Sequence, residues 1–275
     1  MATNSTSPRG AVAALWRYPV KSMRGEELES SEVTDRGLLG DRAYALVDIE
    51  TGKVVSAKNP RKWPNMLEFR SAFVEPPLSP GAMPPARITT PDGATIETGD
   101  SNFDARLSAL VGRPVRLSSS AGEAPRIEGY WPDFEFVESP NAFFEVKLPP
   151  GTFFDEAVVH VLTTATLETL RSQNPRSRFE LPRFRPNIVV DLADGAEGFP
   201  ENDWAGRTLR IGDEVRLAIS GPCPRCVMTT VSQGDLPKDP DVLRTIVQRN
   251  AGNVGVLASV IRGGRIRRGD AVVVD

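Results

Sequence analysis

S-G-P-C-P-R-C-V-M-T-T-V-S, residues 220–232, is the stretch from which the rest of the chain is read. It holds both cysteines of the chain, Cys223 and Cys226, with Arg225 between them. Pro222 and Pro224 fix φ on the approach and remove two backbone donors. The run V-M-T-T-V that follows Cys226 is mostly β-branched, which favours a strand. A rigid turn holding a thiol at the mouth of a strand is therefore expected. Four chemistries compete for it. Two small cysteines can simply pack beside a strand. A thioredoxin-like pair needs C-x-x-C at a helix N-terminus, whereas a strand is expected here. Structural zinc needs four ligands, and with one histidine, His160, the set cannot close from Cys and His alone. The fourth is a single thiolate for a soft metal, kept ionised by the Arg225 charge next door.

Composition narrows the class. The chain has 275 residues, 40% hydrophobic and 25% charged, enough for one large or two ordinary globular domains. A net charge of -3 gives no sign of a polyanion partner, so no nucleic acid is expected. Two cysteines speak against a disulfide scaffold and for a reducing compartment, hence a cytoplasmic protein. No apolar run approaches ~18 residues, so no membrane partner is expected. Residues 1–10 are polar without an apolar core, which reads as a loose tail and not a secretory signal.

Read outward, the pattern is β from residue 11 to Tyr18, with a turn at 20–22 after Pro19. A strand at 43–48 leads through a turn at 50–53 into a second at 54–57. Further strands are expected at 67–73, 87–90, 95–98 and 114–117, and a helix at 101–111 with Phe103, Leu107 and Leu110 on one face. Residues 74–85 are proline-rich loop. The segment 118–150 has no period; its aromatics (Tyr130, Trp131, Phe134, Phe136, Phe143, Phe144) read more as packing than as a substrate mouth. A strand at 158–162 contains His160, read as packed. Thr163 or Thr164 caps a helix at 165–172. A strand entered by Arg183 and Arg185, a strand pair at 208–217, a helix at 240–250 and closing strands from 253 complete the chain. The expected class is mainly β with a few helices (α+β), its short strands forming a small barrel or sandwich.

P-C-P-R-C-V-M-T-T-V (222–231) resembles the signature of the MOSC family, named for the C-terminal domain of molybdenum cofactor sulfurase. Y-P-V-K-S (18–22), G-L-L-G-D-R (37–42), V-S-A-K-N-P-R (55–61), F-R-P-N-I-V-V (184–190) and the ending N-V-G-V…G-R-I-R-R-G-D resemble it too. The arrangement is similar to the mitochondrial amidoxime-reducing branch and its bacterial relatives. The resemblance implies a MOSC β-barrel over 119–275, preceded by an N-terminal β-barrel region over 11–118. It implies a molybdenum–molybdopterin cofactor, and no pyridoxal phosphate. Cys226 would be the catalytic metal ligand. Lys21, Ser22, Arg42, Asp155, Arg185, Asn187 and the backbone at Pro224 and Arg225 would hold phosphate and pterin, with Lys58 at a position where relatives are basic. Cys223 would only shape the turn.

The implied activity is reduction of small N-hydroxylated or N-oxide substrates, the metal cycling between Mo(IV) and Mo(VI). The chain has no iron–sulfur cysteine set and no G-x-G-x-x-G. Electrons would come from a separate ferredoxin, flavodoxin or cytochrome b5-like protein. A cofactor carrier or sulfur-transfer protein without turnover is the alternative. One departure stands at Ser232-Gln-Gly-Asp235, where relatives follow T-T-V with Asp-Pro.

Overall fold

The first strand begins two residues before the sequence pattern indicates. In the computed structural model, which describes residues 9–81, 83–193 and 195–275, β1 (Arg9–Arg17) buries Val12, Ala14, Leu15 and Arg17. The expected tail thus loses Arg9 and Gly10 to a strand, and its remainder, 1–8, lies outside the described residues. β2 (Glu26–Leu28), β3 (Ser30–Thr34), β4 (Gly37–Leu38) and β5 (Ala45–Asp48) follow. Then β6 (Arg70–Phe73), β7 (Ala86–Thr89) and β8 (Thr95–Glu97) form an antiparallel meander. Helix α1 (Phe103–Val111) packs Phe103 and Leu107 into the core around Ile88 and Leu46. β9 (Val115–Ser118) returns to pair with β5. The expected strand at 54–57 reduces to bridges from Val54 to Val47 and Ile127. Beyond it the Ser56 and Asn59 side chains accept from the Lys58 and Lys62 amides and turn the backbone away.

Where no period is legible the chain forms an antiparallel hairpin, β10 (Arg126–Tyr130) with β11 (Phe143–Lys147). β12 (Val159–Thr163) then passes through α2 (Thr164–Gln173) and the one-turn α3 (Leu181–Phe184) to β13 (Ile188–Leu192), parallel to β12. Thr163 Oγ1 accepts from Thr166 N and caps α2, as expected. β14 (Thr208–Ile211), β15 (Val215–Pro224), α4 (Pro240–Asn250), β16 (Asn253–Arg262), β17 (Gly264–Arg267) and β18 (Ala271–Val274) complete the fold.

Seven strands close on themselves in the order β1-β13-β12-β16-β15-β14-β18, with β18 returning to β1 and β2 added outside β1. The fold is mostly β with a closed seven-stranded barrel. Its interior is filled by Val12, Leu15, Val161, Ile188, Leu217, Val256 and their neighbours, all buried. Each such side chain contributes about 1.5–3 kcal/mol on burial. β12 is buried at every position. Its inner face meets the barrel core, while Leu162 on the other side lies under Leu167 and Leu170 of α2 and Ile246 of α4. The closing strand β1 comes from the N-terminal end of the chain, and β17 pairs with β3.

Candidate active site

Strand ends and turns at one side of the barrel converge on a cavity of about 890 Å³. β15 ends in Cys223 and Pro224, and β12 brings His160. The turn after β1 gives Lys21 and Ser22, the turn before β5 gives Arg42, and the loop before β12 gives Asp155. Arg185 and Asn187, between α3 and β13, complete the ring with Lys58, Arg225 and Cys226. Every site residue named from the sequence lines this one cavity. The strand expected after Cys226 does not form. The pairing of β15 stops at Pro224 opposite Asn253, and a 3-10 turn, Val227–Thr229, follows. There the Thr229 and Thr230 hydroxyls donate to the carbonyls of Cys226 and Val227, satisfying locally what a ladder would have used.

Two charged clusters build the floor. Lys21 Nζ donates to the Phe153 carbonyl at 2.7 Å and pairs with Asp155, which Lys58 Nζ also meets at 3.0 Å. Burial pushes the Lys21 ammonium down to about 8, against the pull of Asp155. Burial would raise the Asp155 carboxyl, but Lys21 and Lys58 hold it well below the usual carboxylate range. In the second cluster Asp41 accepts from Tyr18 N at 2.8 Å and from Asn187 Nδ2 at 2.9 Å, and also pairs with Arg42. The Tyr18 ring is shared between two guanidinium groups, Arg42 at 4.6 Å and Arg185 at 4.2 Å from its centroid. Arg185 donates to the Met23 carbonyl at 2.6 Å. Burial, and next the Arg42 charge, push it down to about 10.

Backbone strain gathers at the same place. Ser22, Arg42 and Arg185 hold φ of 66°, 49° and 55°. Among the described residues only Asn141 and Ala251 are other non-glycines with positive φ. Each such residue costs on the order of 1–3 kcal/mol and persists only where its surroundings impose it. Here Ser22 Oγ accepts from Ala57 N at 3.1 Å, Arg42 N donates to the Tyr18 carbonyl, and Arg185 N closes α3 on Leu181.

The cysteines divide differently from expectation. Arg225 Nη1 donates to Cys223 Sγ at 3.0 Å, and Nη2 to the Phe184 carbonyl at 2.8 Å. Residues two apart on extended chain share a face, so the guanidinium turns to Cys223 and not to its neighbour Cys226. Burial works against the Cys223 thiol, yet His160 and Arg225 together bring it down to about 6. Cys226 is half-buried. The carbonyl of Val254 lies 3.0 Å from His160 Nε2, and Asn187 Oδ1 accepts from His160 N. His160 is thus packed, as expected, but beside the thiol of Cys223.

Residues 149–273 match the MOSC domain, and residues 9–111 match the MOSC N-terminal beta barrel domain. The chain carries a MOSC domain preceded by a MOSC N-terminal beta barrel domain. This MOSC chain is 28% identical over 253 residues to rat mitochondrial amidoxime reducing component 2, covering 84% of itself and 68% of that protein. Against mouse mitochondrial amidoxime-reducing component 1 it is 29% identical over 248 residues, 84% of this chain and 66% of the other. The molybdenum cofactor sulfurase of Drosophila grimshawi matches at 26% over 259 residues, 86% of this chain but 30% of the sulfurase. The chain thus spans about two thirds of the amidoxime-reducing relatives and a smaller share of the sulfurase. No helix among the described residues of this MOSC protein is long and apolar enough to cross a membrane.

Sequence reasoning missed the supports. Tyr18 and Asp41 sit inside two quoted motifs, Y-P-V-K-S and G-L-L-G-D-R, beside the residues that were singled out. A tyrosine or aspartate flanking clustered cations was the available signal.

Proposed function

We propose that the cavity holds a phosphate-bearing molybdenum–pterin cofactor, and that the chain is a reductase of N-hydroxylated compounds fed by a separate electron-donor protein. Arg185 carries the reading. It is 8% exposed, beside Arg42, with no carboxylate paired to it among the described residues, in the cavity that also holds Cys226. A buried guanidinium without a counter-ion costs several kcal/mol, which an incoming anion offsets. Arg225 Nε is buried without a partner and is a second waiting donor. The donor set fits a phosphate on a hydrogen-bonding ring, and the thiol of Cys226 suits a soft metal.

When bound, the cofactor supplies the two-electron chemistry that removes oxygen from nitrogen. The chain's own residues bind and orient. Arg185 and Arg42, stacked on Tyr18, would hold the phosphate. Ser22, Lys21 and the backbone at Pro224 and Arg225 would hold the ring. Asn187, its amide already bonded to Asp41, Trp16 and His160, fixes Asp41 and through it Arg42. Overall, R–C(NH2)=N–OH takes up two electrons and two protons, the N–O bond breaks, and the amidine and water leave. The electrons come from a one-electron carrier of the ferredoxin, flavodoxin or cytochrome b5-like class. One observation favours the sulfur-handling alternative: Arg225 Nη1 donates to Cys223 Sγ at 3.0 Å and with His160 lowers that thiol, and sulfur transfer needs an ionised nucleophile.

The test expresses wild type, Cys226→Ser and Cys223→Ser in a host that makes the cofactor. Molybdenum content should fall to background in Cys226→Ser and far less in Cys223→Ser. Loaded wild type should reduce benzamidoxime with an artificial low-potential donor and not with NADH alone. Equal loss in both variants, or loaded protein inert toward amidoximes, N-oxides and hydroxylamines with every donor, overturns the reductase reading.

A further inference from the structure

The β10–β11 hairpin lies between the two family matches, which end at residue 111 and resume at 149. Yet it forms a wall of the same cavity: Tyr130, Trp131, Phe136 and Phe144 line it. We infer that this hairpin selects substrate, giving the cavity a preference for flat aryl N-hydroxylated compounds over alkyl ones. The inference rests on the reductase reading and names the substrate class it serves.

The hairpin is built to present rings. Gly129 faces Phe144 across the strands, and a Cβ there would lie 2.2 Å from the Phe144 ring, so the ring occupies the space a side chain would need. Trp131 packs on Phe144 with centroids 4.7 Å apart, and Phe134 stacks on Phe136 at 5.0 Å and 10°. Other faces are already covered. The Arg61 guanidinium sits 4.1 Å over Tyr130, and Arg244 lies 5.2 Å over Phe134. Trp131 and Phe136 differ. Both line the cavity and remain 43% and 38% exposed. Apolar side chains of α4, Leu243 and Val247, also line the cavity. From the hairpin come Glu138 and Ser139 but no lysine or arginine, so nothing there pairs with an acidic substituent. A neutral ring stacked on Trp131 and Phe136 buries the apolar surface these two leave open, and a methyl group in its place covers little of it.

Binding is read separately from turnover. Of the four tryptophans Trp131 is the exposed one, with Trp63 and Trp204 buried. In cofactor-loaded protein, benzamidoxime should quench tryptophan emission saturably, acetamidoxime should not at the same concentrations, and Trp131→Phe should abolish the response. Trp131→Leu and Phe136→Leu keep the site apolar but remove a ring. Each should lower the benzamidoxime-to-acetamidoxime ratio of kcat/KM about tenfold, with molybdenum content unchanged. Equal quenching by both ligands, an unchanged ratio, or loss of molybdenum in the leucine variants overturns the inference, the last assigning the rings to the pterin. Saturable, aryl-specific quenching without turnover by any donor leaves the aryl site standing and removes the reductase reading instead.

Discussion

Lys21 is a cation held where water is scarce, facing Asp155, Lys58 and Arg42. With its ammonium lowered to about 8, the charge fades as pH rises through that value. Anion binding to cofactor-free protein should therefore weaken severalfold between about pH 7 and about pH 9. Sulfate is the suitable probe because its own charge is constant over that range. Calorimetric titration of wild type should show the decline, and Lys21→Arg should stay flat. The same decline in Lys21→Arg would place the titration elsewhere. The residues of this floor were legible as strings, because K-S, G-D-R and R-P-N each keep their local order. Their conformation was not. Serine and arginine give no sign of positive φ, so the strain at Ser22, Arg42 and Arg185 appears only in the fold. Nor could the string say that Arg225 turns to Cys223, since that depends on where β15 ends.

At the level of elements, β12 and β16 approach each other unusually closely at one point. Gly255 has φ of 76°, and a Cβ there would meet His160 Nε2 at 2.3 Å and the Val161 carbonyl at 2.5 Å. Gly252 also has positive φ, 82°, but its nearest neighbour would be Val247 Cγ2 at 3.9 Å. Alanine at Gly252 should cost about 1 kcal/mol, the conformational term alone. At Gly255 the same change adds a clash with backbone and should cost about 3 kcal/mol or more. Urea unfolding of the two variants checks the contrast, and equal losses would mean that β16 can shift away from β12. Helix α4 was read with its true ends, 240–250, from the helical spacing of Leu243, Ile246 and Val247, and in the fold Asp239 caps its start with Pro240 in the first turn. The hairpin β10–β11 was not read, since clustered rings hide the two-residue alternation that marks a strand.

For the whole molecule the decisive fact is that β1 closes the barrel between β13 and β18. Sequence alone could propose a barrel from the number and shortness of strands, but not which strand closes it, since that pairing joins distant parts of the chain. A fragment of residues 149–275 keeps six of the seven barrel strands and exposes the edges of β13 and β18. Unpaired edges template aggregation. The fragment should be aggregated or molten by gel filtration and near-ultraviolet dichroism, while the full chain unfolds in one urea transition. A monomeric fragment with native near-ultraviolet signal would show the barrel closing without β1.

The position of that closing strand also bears on how the protein is made. β1 is synthesised before both of its barrel partners: β13 begins about 170 residues after it, and β18 follows later still, at Ala271–Val274. At roughly 5–20 residues per second, β1 waits about 10–30 s for its first barrel partner, β13. The seam cannot seal until β18 has also been made. During that interval the nascent chain presents an apolar strand paired only with β2 at its C-terminal end, a natural target for ribosome-associated chaperones. Slow codons placed before β13 would lengthen the wait and lower soluble yield without altering a single residue of the finished protein.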